Sequence, residues 1–162
     1  MSIFISTGGF KTKTALESVE LLTKNNISDI ELSGGKYSEN YLKDILKFKE
    51  NCKFQVHNYF PPPKEPFVIN LASLNKEIED KSLRQVEQSI IFASKIGASH
   101  YSVHAGFLLD PQPKELGSSI KKVQIFDKEK SKEKFFKNIN KISEISKKYK
   151  INLLVENNVV SH

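Results

Sequence analysis

The chain has 162 residues, 38% hydrophobic and 27% charged, enough for one domain with a sizeable core. No apolar run reaches the roughly 18 residues a membrane span needs, the first ten residues lack the pattern of a signal peptide, and the single Cys52 excludes an intramolecular disulfide and fits a reducing, cytoplasmic setting. The net charge is +6, but Arg84 is the only arginine and the lysines mix with glutamates, as in Lys128-Glu129-Lys130, so the charge reads as solvated helix faces rather than a nucleic-acid surface.

The elements alternate. Strand one is Ile3-Phe4-Ile5, closing at the polar turn Ser6-Thr7-Gly8-Gly9. A helix follows from about Thr14 to Asn25, with Thr14 and Glu17 at capping-box spacing and Leu16, Val19 and Leu22 on its apolar side. Strand two is Asp29 to Leu32, closing at Ser33-Gly34-Gly35. A second helix starts near Ser38, with Leu42, Ile45 and Phe48 at helical spacing. Strand three is Phe54 to His57. The clearest helix runs from Lys76 to Ile96, with Leu83, Val86, Ile90 and Ala93 as its buried stripe and Gly97 as its left-handed cap. Strand four is Tyr101 to His104, the fourth helix about Ser131 to Tyr149, and strand five Ile151 to Val155. In the fourth helix Phe135, Ile139, Ile142 and Ile145 are expected to face inward.

Strands alternating with helices of this length predict parallel β/α units with right-handed crossovers. The fold class is therefore α/β, of the (β/α) TIM-barrel type, with about the first five strands and four helices in a single domain over residues 1–162. A closed barrel takes about 250 residues, so the expectation is the N-terminal portion of a longer protein, with strands one and five as sheet edges. Two long connections, Asn58 to Asn75 with Pro61-Pro62-Pro63 and Phe107 to Lys130, each follow a strand that ends in histidine. Their length and position favour function.

Three strands end alike: Phe54-Gln55-Val56-His57, Tyr101-Ser102-Val103-His104 and Leu153-Leu154-Val155-Glu156. On parallel neighbours these endings share one rim, where β/α barrels build their active sites. Neutral imidazole binds zinc, manganese or iron, and a carboxylate completes a three-ligand set with an open position. Glu156 follows an apolar run, so it is expected at the edge of a dry core, where a carboxylate must be paired, hydrogen-bonded or metal-bound. Glu31 ends strand two in the same way and is a candidate to hold a substrate hydroxyl, to orient a ligand histidine or to form an ion pair. Asn58 and Asn157 follow their strands either as donors to sugar hydroxyls or as turn residues. The Ser6–Gly9 turn is expected to be ordinary rather than an anion site. His100 and Cys52 fall at the opposite rim, and His162 is left open. There is no P-loop, GxGxxG motif, CxxC pair or Ser/His/Asp arrangement.

At Glu31-Leu32, His57, Phe67-Val68-Ile69-Asn70-Leu71-Ala72-Ser73, Ile96-Gly97-Ala98, Val103-His104-Ala105-Gly106 and Leu154-Val155-Glu156-Asn157 the chain resembles the xylose isomerase-like TIM-barrel superfamily. That group holds sugar phosphate isomerases/epimerases and the zinc-dependent AP endonucleases of family 2. The resemblance covers most of the chain and is densest from Lys53 to Asn158. It implies that Glu156 is a metal ligand. In the isomerase branch the other three ligands come from strands six to eight, and histidines placed like His57 and His104 contact substrate; in the endonuclease branch all three positions bind metal.

The resemblance implies a divalent ion (manganese, zinc, magnesium or cobalt) and a metal-dependent sugar or sugar phosphate isomerase/epimerase. Proton transfer through an enediolate, with Glu156 catalytic, would be its chemistry. The Pro-rich loop is similar to isomerase/epimerase-like proteins of surface-polysaccharide biosynthesis. The alternatives are an AP endonuclease-like repair hydrolase, disfavoured because strands one and two lack arginine- and aromatic-rich loops, and a non-catalytic sugar-binding barrel. The expected partner is a small sugar or sugar phosphate rather than nucleic acid or a membrane, with a homo-oligomer left open.

Overall fold

The computed structural model describes residues 3–116 and 125–157. Five strands, β1 Ile5–Ser6, β2 Asp29–Leu32, β3 Lys53–His57, β4 His100–His104 and β5 Asn152–Glu156, form one parallel sheet in the order β1-β2-β3-β4-β5. Four helices alternate with them: α1 Ala15–Lys24, α2 Tyr41–Leu46, α3 Lys76–Ile96 and α4 Lys128–Lys148. Sequential strand order with a helix in every crossover is the arrangement of a β/α barrel wall. Among the described residues no helix is long and apolar enough to cross a membrane.

Alternation along each strand explains the two faces of the sheet. Ile30 and Leu32, Phe54 and Val56, and Tyr101 and Val103 belong to the buried core with Val19, Val86, Ile90, Ala93 and Ile142 from the helices. The residues that alternate with them, Glu31, Gln55, His57, Ser102 and His104, point to the opposite face. Register fixes their heights: Glu31 lies beside Gln55, His57 beside Ser102, and His104 beside Glu156. The polar stripe therefore rises in steps from β2 to β5.

The helix ends follow local chemistry. Thr14 caps α1 by accepting from Glu17 N, while the Glu17 carboxylate reaches one residue beyond the expected box and accepts from Lys13 N at 2.8 Å. α2 starts three residues later than Ser38, because the Ser38 hydroxyl accepts from Asn40 N and holds a turn there. α3 has the boundaries expected, with Asn75 accepting from Glu77 N and Gly97 at φ 75°. α4 starts three residues before Ser131, because Asp127 accepts from Lys130 N. β1 is shifted to Ile5–Ser6, where it pairs with Ile30 and Glu31.

The first long connection is packed rather than free. Phe60, Pro61 and Pro62 are buried, as is every residue from Val68 to Ser73. In the second, Pro113–Glu115 form a short 3-10 turn. Among the described residues β1 and β5 are the two sheet edges, as the strand count predicts, and at β5 Leu154 and Val155, on opposite faces, are each 48% exposed.

A buried carboxylate ties α3 to α4. Glu79 accepts from Lys134 Nζ at 3.2 Å and lies 3.5 Å from Lys76 Nζ. Burial pushes its pKa up, but hydrogen bonds from Lys134 and Asn138 and the charges of Lys134 and Lys76 outweigh burial and hold it below the ordinary value. A depressed folded pKa gives stability that is complete above the unfolded value, about 4.3, and is lost as pH falls through the folded one. Urea titrations from pH 7 to pH 3 are expected to show a steeper acid loss of stability in the wild type than in Glu79→Gln. Gly97→Ala is expected to cost about 1 kcal/mol in the same assay, because an L residue is strained at that φ.

Candidate functional site

The C-terminal ends of β2 to β5 bring Glu31, His57, His104 and Glu156 into one cluster. The donor atoms of His57, His104 and Glu156 all lie within 4.8 Å of one another. The imidazoles meet through their Nε2 atoms at 3.2 Å, edge to face at 85°. His57 Nδ1 faces Ser102 Oγ at 3.2 Å, Glu156 Oε1 at 3.5 Å and Glu31 Oε2 at 3.8 Å. Glu156 Oε2 lies 3.8 Å from His104 Nε2.

These distances follow from the sheet. His104 and Glu156 are direct neighbours across β4 and β5, while His57 is level with Ser102, one side-chain step below His104. Carboxylates on both sides of His57 Nδ1 favour a proton on that nitrogen, which leaves Nε2 as the acceptor toward His104. Burial is the main cause lowering the pKa of His104, followed by the neighbouring His57; Glu156 opposes both. The outcome favours neutral His104, the form that ligates metal.

The dry edge expected around Glu156 is not what β5 shows. Leu154 and Val155 are half exposed, and the Glu156 side chain is 43% exposed. Among the described residues β5 is paired on one side only, so its apolar run does not enclose the carboxylate. The nearby imidazoles are what engage Glu156.

Asn58 takes a tying position. It sits at φ 32°, donates its N–H to Ser102 O at 2.6 Å, and its Oδ1 is 3.5 Å from His104 N. Its carbonyl accepts from the Tyr101 hydroxyl at 2.9 Å. Burial drives that hydroxyl well above the ordinary tyrosine range, against a lowering hydrogen bond with Ser89. Asn157 is exposed just after β5. The Ser6–Gly9 turn is a short 3-10 turn in which Thr7 Oγ1 donates to Ser33 O and accepts from Ser33 N, joining the ends of β1 and β2. His100 contacts Ser99 Oγ at the other end of β4, and Cys52 is buried before β3. His162 lies outside the described residues.

Sequence reading missed two contributors. Ser102 is two residues before His104 and hence on the same face, so period-two spacing carried the signal. Tyr101 gave none, because an apolar-facing tyrosine looks like core until its hydroxyl finds the Asn58 carbonyl.

The same fold recurs in known proteins. Residues 13–158 match the model of the xylose isomerase-like TIM barrel. The chain belongs to that family. No curated protein matches it in sequence. Among solved structures it is similar to a D-tagatose 3-epimerase-like protein (TM-score 0.71, 19% identity, 97% of this chain and 53% of that one). It is also similar to the 3-keto-D-glucoside 4-epimerase YcjR from E. coli (TM-score 0.67, 12% identity, 96% and 55%). A third similar structure is a Thermus thermophilus protein soaked with zinc chloride (TM-score 0.58, 16% identity, 96% and 55%). The chain thus spans about half the length of these structures, and at such identities the likeness concerns the fold.

Asn58 separates two roles by experiment. Asn58→Gly is expected to keep the turn, whereas Asn58→Ala is expected to lose about 1 kcal/mol more in urea denaturation, the cost of an L residue without a polar side chain at positive φ.

Proposed function

We propose that the chain carries part of the active rim of a metal-dependent sugar or sugar phosphate isomerase/epimerase of carbohydrate or surface-polysaccharide metabolism. The convergence of His57, His104 and Glu156 on one rim is the observation that supports the reading. Two imidazoles and a carboxylate are a donor set that suits manganese, cobalt or zinc. Glu156 is the proposed ligand, with the two histidines in reach of the same ion or of the sugar beside it. A divalent ion held there would polarise a sugar oxygen and ease removal of the proton on the neighbouring carbon.

The chain's own groups supply the rest. Glu156, half exposed and able to accept, takes a proton from the carbon next to the carbonyl, and the sugar becomes an enediolate. Return of that proton to the adjacent carbon, with the hydroxyl proton passing from the oxygen that becomes the new carbonyl to the former carbonyl oxygen, gives isomerisation. His104 donates to a sugar oxygen, His57 accepts from a sugar hydroxyl at Nε2, and Glu31 holds the proton on His57 Nδ1 or accepts from a hydroxyl. Asn58 and Asn157 are proposed as further hydroxyl contacts at the rim.

The closeness of all three donors favours a second reading of the metal, in which both histidines are ligands as well. Calorimetric titration with manganese, cobalt and zinc separates the two. Glu156→Gln is expected to weaken binding about tenfold or more in either case. His57→Ala and His104→Ala retain affinity if the imidazoles serve only the sugar, and lose it if they ligate. Activity is read as metal-dependent exchange of sugar C–H for deuterium in D2O, over a panel of ketoses and their phosphates. Loss of about 100-fold or more is expected in Glu156→Gln. Cleavage of abasic-site DNA in place of exchange would overturn the isomerase reading in favour of the repair hydrolase. Sugar binding with no turnover would favour the non-catalytic barrel.

A further inference from the structure

Asn70 lies far from the rim in sequence and has no part in the chemistry proposed above. Its side chain is fully buried, and both ends of the amide are used. Oδ1 accepts from Ala72 N at 3.1 Å and from Phe107 N at 2.9 Å. Nδ2 donates to Asp110 Oδ1 at 2.7 Å, to Leu109 O at 2.9 Å and to Phe107 O at 3.2 Å. Asp110 is held from the other side, where Ser73 Oγ donates to its Oδ2 at 2.7 Å. The chain leaving β4 is therefore wrapped around one buried amide.

The base of this knot is itself fixed. Asn70 N donates to Ser82 Oγ on α3, and Asn138 Nδ2 on α4 donates to Leu71 O. Gly106 is pressed against it, since a Cβ there would fall 2.4 Å from Ala72 Cβ and 2.7 Å from Asn70 Oδ1. Between the knot and His104 only Ala105 and Gly106 intervene. Ala105 N donates to Glu156 O at 2.8 Å, which closes the last rung between the end of β4 and the end of β5. β5 has a neighbour on one side only among the described residues, so this rung bears directly on where Glu156 sits.

We propose that Asn70 is a positioning residue for the His104–Glu156 pair: by fixing Phe107 three residues beyond His104, it sets the direction of both β-strand ends at the rim. The metal-affinity part of this inference rests on the metal site proposed above; the geometric part does not. The chemistry demands an amide. A carboxylate at position 70 would set an oxygen against three oxygens, and an apolar side chain would leave Ala72 N and Phe107 N without their acceptor.

The test uses the whole chain and two readouts: imidazole 1H–15N correlations without metal, and titration with cobalt alone, followed by its visible absorption. Asn70→Ala is expected to shift the His104 signals and to weaken cobalt binding about tenfold or more. Asn70→Asp is expected to do the same, and Asp110→Asn added to it to restore part of both, because donor and acceptor then exchange places. A destabilised control, Val19→Ala on α1, should leave both readouts unchanged. A folded Asn70→Ala with wild-type His104 signals and wild-type cobalt affinity would overturn the proposal. Should Asn70→Ala fail to fold, Asp110→Ala takes its place, and unmoved His104 signals there are equally fatal. If the wild type itself takes up no cobalt, the metal reading falls alone, and the metal-free His104 signals still decide the role of Asn70.

Discussion

The in-register parallel ladder is the constraint on which everything else in this molecule depends. Four helices cover one face of the sheet, and alternation sends every second residue of each strand to the other. Ile30, Leu32, Phe54, Val56, Tyr101 and Val103 are thereby committed to the core, and Glu31, His57, Ser102 and His104 are committed to the rim side. A one-residue slip of β3 or β4 would bury an imidazole under α3 and expose an aliphatic side chain. Hydrophobic burial thus selects the register, and the register sets the heights at which the ionisable groups meet.

Those groups gain their properties from that meeting. An isolated histidine at a strand end would be solvated and ordinary. Here His57 has carboxylates toward Nδ1 and a second imidazole at Nε2, and His104 is held toward its neutral form by burial and by the charge that His57 would carry. Two imidazole nitrogens and a carboxylate in reach of one point are a chemical arrangement that no single strand contains. Among the described residues Leu154 and Val155, beside the last rung, are exposed.

The connections carry as much of the design as the strands. The Val68–Ser73 stretch is irregular yet fully buried, which is tolerable because its polar groups find partners on α3, on α4 and in the loop after β4. Asn58 performs a similar task on a smaller scale, turning the chain out of β3 while tying it to β4. Long loops that follow catalytic-type strand endings need not be lids. In this chain the first is a buttress.

What the sequence determined by itself was the order of elements, the boundaries of α3, the parallel β/α class and the identity of the rim residues. These are local or periodic properties: apolar spacing, a capping asparagine, a glycine after Ile96, and strand endings in His, His and Glu. What only the tertiary structure decided was which of those residues touch. The 3.2 Å contact between imidazoles, the approach of Glu31 to His57 and the exposure of Glu156 depend on register and on which strands have two neighbours. The start of α4 shifted because Asp127 outcompetes Ser131 as a cap, and the role of Asn70 was invisible because its partners lie up to 40 residues away. Periodicity encodes which face a residue takes. Contact across strands is set by how the whole sheet packs, and that is written in no single segment.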